Sequence, residues 1–224
     1  MAYYIDLSSI SIDEYKAKLN VADMLPSRMG LKEKLDERFG YFKSMGIKNV
    51  LELQKTLKKK EKLAELSQIN CFSDDYLPIL LREINSIHPK PVKVDEFIGI
   101  STETVSRLHE LGIKDTVGLY EFVKTNKGRG DLGNKTGIDD TVILELTSLT
   151  DLSRIKWVGA MFAKMLYTIG IDTVEKASKA DYTELHKKIN HLNKDKAFFK
   201  GNIGLNDMKL FVNAAKEVPL DIEY

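Results

Sequence analysis

Cysteine is almost absent from this chain: Cys71 stands alone among 224 residues. A lone thiol rules out an intramolecular disulfide and any zinc cluster built on cysteines, and it fits a reducing compartment. Proline is nearly as scarce, with five residues, and 14 glycines fall far short of a collagenous or low-complexity composition. Neither sign of charge is in excess: 34 Lys and Arg face 33 Asp and Glu, a net charge of +1. Bulk electrostatics therefore do not mark a nucleic-acid binder, and such a role would need a local patch. No apolar run approaches the ~20 residues that span a bilayer. The opening MAYYIDLSSISIDEYK has neither the basic nor the apolar stretch of a secretory signal. These absences predict a cytoplasmic chain with no membrane partner.

Strand-like alternation is also missing. Tyr3, Ile5 and Leu7 alternate, but the run is short. What fills the chain is helical spacing, with hydrophobic residues at 43%, enough for a packed core. The expected fold class is all-α.

The pattern centres on Leu152 to Ile171, LSRIKWVGAMFAKMLYTIGI. It reads as a short helix, a tight turn at Val158-Gly159, and a second helix from Ala160 to Thr168. Gly170 stops that helix, because a left-handed cap favours a residue without a Cβ. Val94 to Ile113, VDEFIGISTETVSRLHELGI, repeats the outline. Phe97 takes the place of Ile155, Ile100 that of Val158, Leu108 that of Leu166, and Leu111-Gly112-Ile113 that of Ile169-Gly170-Ile171. A fainter copy ends in Met45-Gly46-Ile47. A recurring apolar-Gly-Ile stop is a repeat signature.

The chain therefore divides into a lead-in segment (1–26), a first helical repeat (27–88), and second and third repeats (92–150 and 151–219). His88-Pro89-Lys90-Pro91 is the best boundary, since two prolines forbid helix there. Ser11 with Glu14 forms a capping box. Ser27 is placed to cap a long helix to Ser44. Asn49, Ser73, Ser101, Asp115, Asp139, Asp172 and Asn206 are further expected caps. The stretch KTNKGRGDLGNKTG reads as a Gly/Lys-rich connection. It lacks the Gly-Lys-Ser/Thr ending of a phosphate loop.

The chain resembles a bacterial family of unknown function built from tandem degenerate helix-hairpin-helix repeats. The stretches that carry the resemblance are PILLREINSIHPKPVKVDEFIGISTETVSRLHELGIKDTVGLYEF and LSRIKWVGAMFAKMLYTIGIDTVEKASKADYTELHKKI. It implies tandem helix-hairpin-helix-like repeats related to DNA-binding domains, and no known activity. In such a motif a Gly-apolar-Gly turn lets backbone N–H groups reach a phosphate, with a helix N-terminus behind it. Trp157-Val158-Gly159 keeps only the second glycine, and Gly99-Ile100-Ser101 only the first.

The nucleic-acid candidates are Gly159 with Arg154, Lys156 and Lys164, together with Trp157, Gly99 and Ser101. The lysines could flank a phosphate, or they could simply be solvated. Trp157 could stack on a base or anchor a protein. Tryptophan's high average burial instead predicts that it packs beneath the neighbouring repeat. No Ser/His/Asp or Cys/His constellation and no HExxH motif occurs. No catalytic residue, metal ligand or cofactor is expected, and the chain is read as a non-enzyme. Two functions follow: a module binding DNA or RNA through backbone phosphates, or a protein-protein interaction or structural scaffold that has lost DNA binding.

Overall fold

The capping box at the start of the chain forms: Ser11 accepts from the Glu14 N–H, and Glu14 accepts from the Ser11 N–H. It opens helix α1 (Ile12–Val21), and the chain then runs through α2 (Leu35–Ser44), α3 (Val50–Leu57), α4 (Lys60–Ser67) and α5 (Tyr76–Asn85). The computed structural model describes residues 3–73, 75–196 and 198–224. The chain separates into two compact units, one running Ala2–His88 and the other holding Pro89–Tyr224. Among the described residues there are helices and turns, with isolated bridge pairs and no strand. No helix among them is long and apolar enough to cross a membrane.

In the first unit, the helix expected from Ser27 to Ser44 is broken. Pro26–Lys32 is a 3₁₀ turn, and Lys34 adopts a left-handed conformation (φ 48°) before α2 begins. The break is held from inside by the buried Arg38. Its Nη1 donates to the carbonyls of Gly30 (3.1 Å) and Glu33 (2.8 Å), and its Nε to Cys71 (2.7 Å). Its guanidinium lies 3.8 Å from the centre of the Tyr76 ring. Burial pushes the Tyr76 phenol up to about 12. Phe42, Phe72 and Tyr76 stack in turn and fill the core with Phe39, Leu53 and Leu80.

The second unit holds α6 (Thr102–Glu110), α7 (Thr116–Val123), α8 (Asn126–Thr136), α9 (Asp140–Leu152), α10 (Ala160–Thr168), α11 (Val174–Lys179), α12 (Tyr182–Lys196) and α13 (Leu205–Ala215). Helix α8 corrects the sequence reading, which made this glycine-rich stretch a connection. Thr125 caps it by accepting from the Gly128 N–H, Leu132 is fully buried, and Arg129 donates from the interior to the Val123 carbonyl (2.7 Å). Packing of Leu132 and Arg129 outweighs the roughly 1 kcal/mol that each glycine costs a helix. Gly128 also has a steric reason: a Cβ there would lie 2.3 Å from the Phe122 carbonyl oxygen. The start of α13 differs too. Gly204 rather than Asn206 is the N-cap, and the Asp207 carboxylate accepts from the Gly204 N–H (2.8 Å).

The apolar-Gly-Ile stops share one geometry. Gly46, Gly112 and Gly170 have φ of 79°, 76° and 84°. Each following isoleucine donates its N–H five residues back: Ile47 to Phe42, Ile113 to Leu108, Ile171 to Leu166. This is the Schellman arrangement, which satisfies carbonyls a helix end would otherwise leave open. The next turn also corresponds, with one substitution. Val50 N–H donates to the Ile10 carbonyl and Thr116 N–H to the Val92 carbonyl. Val174 N–H donates instead to the Asp151 carboxylate (2.9 Å). A side chain there takes the role that main chain plays in the other two segments.

Candidate binding turn

Helix α9 does not continue into a second short helix. Its last turn loosens into successive hydrogen-bonded turns, from Arg154 N–H to the Asp151 carbonyl, Ile155 to Leu152, and Val158 to Ile155. Ile155 (0% exposed) and Val158 (3%) plug into the core. With these two pointing inward, Lys156 and Trp157 are turned toward the surface.

Trp157 is held at φ 70°, and the residue at the matching turn upstream, Gly99, has φ 91°. A bulky side chain in this region carries a penalty of about 1–2 kcal/mol that glycine avoids. Trp157 is 46% exposed, which overturns the expectation that it packs beneath a neighbouring segment. High average burial describes tryptophans with room inside. Here the interior positions on either side are taken by Ile155 and Val158. The Lys156 ammonium sits 4.4 Å from the centre of the Trp157 rings, a cation–π contact.

Gly159 is the N-cap of α10, in extended conformation (φ −97°, ψ −180°), with no side chain to accept from the helix's first N–H groups. A Cβ at Gly159 would meet nothing within 4 Å, so space lies open in front of the helix. Met161, in the first turn, is 40% exposed. Lys156, Trp157 and Gly159 thus share one surface feature: a ring, a cation and an open helix N-terminus.

The other candidates do not join it. Arg154 lies inside, its side chain 1% exposed. It donates to Asp151 (3.0 Å) and to the Pro219 carbonyl (3.1 Å), and it pairs with Asp221 (2.7 Å). Its guanidinium is 5.0 Å from the centre of the Tyr120 ring. Lys164 is paired with Glu145, both four-fifths buried, and its Nζ lies against Gly99. Ser101 caps α6, accepting from the Thr104 N–H (3.1 Å). The structure therefore brings Lys164 and Gly99 together, but in a contact closed by a carboxylate.

The residues around Arg154 were not singled out in the sequence. Tyr120 donates to Asp221 (2.7 Å), and the Tyr224 hydroxyl donates to Asp151 (3.1 Å). Burial pushes the Asp151 carboxyl upward, while the Val174 N–H and the Arg154 charge pull it back. Burial and then the bond to Asp221 push the Tyr120 phenol up. The three-residue spacing of Asp151 and Arg154 was the one local signal of this network. Asp221 and Tyr224 carry no such signal.

Lysines elsewhere on this unit are interleaved with acids. Lys176 pairs with Asp172 (2.7 Å), Lys179 with Glu175 (2.5 Å) and Lys187 with Glu184 (2.8 Å). Such exposed pairs add little stability. They do set an acid against each of these three lysines. Residues 89–224 carry as many acidic as basic side chains.

A family model described as a domain of unknown function (DUF4332) matches residues 98–218, which include the turn and most of the second unit. No curated protein and no solved structure matches the chain.

Proposed function

The chain belongs to the family of this domain of unknown function, and from that premise we propose that it is a non-enzymatic protein-interaction module anchored by Trp157. The observation that carries the reading is the exposed Trp157 ring, fixed in a left-handed turn beside the open start of α10. Tryptophan is among the residues that dominate interface energetics when a partner covers it. Main chain already held at φ 70° loses little further freedom on binding, which favours affinity. The partner chemistry suited to the turn is an apolar side chain against Trp157 with a neighbouring carboxylate. Lys156 and the N-terminus of α10 would both favour that negative charge.

Charge favours this reading over the nucleic-acid one. Proteins held on duplex nucleic acid by electrostatics make on the order of 6–10 phosphate contacts. Of the three cations expected at this turn, Arg154 and Lys164 are occupied by Asp151, Asp221 and Glu145. A nucleic-acid role is favoured by one specific feature, the space before Gly159, where a phosphate could approach the N–H groups of α10. On that reading the ligand is single-stranded, because Trp157 needs an unstacked base.

Trp157 is the only tryptophan, so its fluorescence reports directly on the turn. Peptide display on the intact chain should enrich sequences pairing an apolar residue with Asp or Glu. A synthetic winner should shift the Trp157 emission. It should bind Lys156→Ala more weakly, and by anisotropy of a labelled copy it should lose affinity for Trp157→Ala. Winners that bind Trp157→Ala as well as the natural chain would sink the interaction reading. Single-stranded oligonucleotides are titrated in parallel at low salt. Quenching that disappears as salt rises, with no peptide enrichment, would put nucleic acid first.

A further inference from the structure

Residues 219–224 cross the second unit as an extended segment held almost wholly by polar groups. Asp221 reaches the interior, where its side chain is 3% exposed, to meet Arg154 and Tyr120. Glu223 is tied at both ends: its N–H donates to the Lys124 carbonyl (3.0 Å) and its carboxylate accepts from the Asn126 N–H (3.0 Å). The Tyr224 hydroxyl reaches Asp151. Apolar anchoring is limited to the partly buried Ile222, since Leu220 is 61% exposed.

The charges in this network do not balance while the segment is docked. Two buried carboxylates, Asp151 and Asp221, meet one guanidinium, Arg154. If the segment lifts, Asp221 carries its charge into water, and Asp151 and Arg154 remain as a matched pair. A buried charge left without a partner is what makes most ion-pair disruptions costly. Lifting this segment leaves none behind. Arg154 in turn lies three residues before Trp157, at the base of the binding turn, with only Ile155 and Lys156 between them.

We propose that residues 219–224 form a detachable strap that sets how Trp157 is presented, acting through Arg154. The inference rests on the interaction reading only in taking the 156–159 turn as the contact surface. With the strap docked, Arg154 is gripped from both sides, by Asp151 and by Asp221 with the Pro219 carbonyl, and the turn is stiff. With it lifted, Arg154 loses Asp221 and the Pro219 carbonyl while Asp151 stays, and the turn loosens. Asp221 and Tyr224 are positioning residues for Trp157 and touch no ligand. A partner that competes for the strap would thereby regulate what the turn binds.

The test reads Trp157 in the full chain without any ligand, so it stands whether or not a peptide partner exists. Asp221→Asn and Tyr224→Phe are compared with the natural chain and with Glu184→Gln, a surface control. Far-UV circular dichroism checks that each is folded. Tyr224→Phe removes one hydroxyl and Asp221→Asn leaves the Asp151–Arg154 pair intact, so both should fold. The strap variants should lower the steady-state anisotropy of Trp157 and raise its acrylamide quenching slope, Asp221→Asn more than Tyr224→Phe. Glu184→Gln should change neither. Folded strap variants with the anisotropy and quenching of the natural chain overturn the proposal. So does a control that shifts as far as they do.

Discussion

The Nζ of Lys164 lies 3.2 Å from the point a Cβ on Gly99 would occupy. Gly99 therefore has two reasons to be glycine: its φ of 91°, and the lysine chain that passes over it to Glu145. Gly159 has neither, since its backbone is extended and the space around it is open. The two glycines at the matching turns should respond differently to the same substitution.

Gly99→Ala is expected to destabilise the second unit by about 1–2 kcal/mol from the left-handed penalty alone. Displacement of Lys164 adds to that loss. Gly159→Ala should cost less, about 0.5–1 kcal/mol, the gap between glycine and alanine at an N-cap. Urea unfolding followed by Trp157 emission measures both, because the sole tryptophan lies in this unit. Equal losses would show that the contact at Gly99 is not what fixes that residue.

Helix α8 offers a second opposed pair. Gly128→Ala drives a Cβ into the Phe122 carbonyl and should cost about 1–3 kcal/mol, as overpacking does. Gly130 lies mid-helix with nothing within 4 Å, so Gly130→Ala should stabilise by about 0.5–1 kcal/mol. Thermal midpoints moving in opposite directions are the expected result.

Arg154→Ala and Lys156→Ala remove cations two residues apart. The first leaves Asp151 and Asp221 buried without their counter-ion, an expected loss of about 3–5 kcal/mol. The second removes a surface charge and should fall within about 0.5 kcal/mol of the natural chain. Denaturant midpoints of similar size for the two would contradict the burial of Arg154.

Tyr76 links the first unit to pH. Burial raises its phenol from 10.0 to about 12, so the folded state favours the neutral form. The associated stability is intact below pH 10 and is lost as pH rises from 10 through 12. The loss amounts to roughly 2–3 kcal/mol at one pKa unit per 1.36 kcal/mol. Urea titrations at pH 9 and pH 11, with phenolate absorbance, should show this slope, and Tyr76→Phe should flatten it.

Local chemistry was legible in the sequence. The caps at Ser11, Asn49, Ser101, Asp115 and Asp139 form as read, and so do the left-handed stops at Gly112 and Gly170. Each depends on residues within a turn of one another. Some caps were misplaced by one or two residues, among them Thr173 for Asp172 and Gly204 for Asn206, and the larger misreadings depend on distant contacts. Helix α8 exists because Leu132 and Arg129 find a core, and no propensity summed over its glycines would show that. The break at Lys34 is held by Arg38 and the distant Cys71 carbonyl. Arg154 looked like a surface cation because Asp221 lies far along the chain. Trp157 is outside because the two inward positions beside it were already filled. Of the seven residues proposed for the site, Lys156, Trp157 and Gly159 share a surface, while Arg154, just as near in sequence to Lys156 and Trp157, is buried.

The bond from the Val174 N–H to the Asp151 carboxylate has a consequence for how this unit can be altered. Where the corresponding bond ends on a main-chain carbonyl, at Ile10 or Val92, no codon change can delete the acceptor. At Val174 the acceptor is encoded, so one substitution removes it while the backbone keeps its path. Amide hydrogen exchange at Val174 would read that change directly. Asp151→Asn should retain an oxygen acceptor and much of the protection, and Asp151→Leu should open the start of α11. The third segment thus has a junction that mutation can tune, where the other two are fixed by the chain itself.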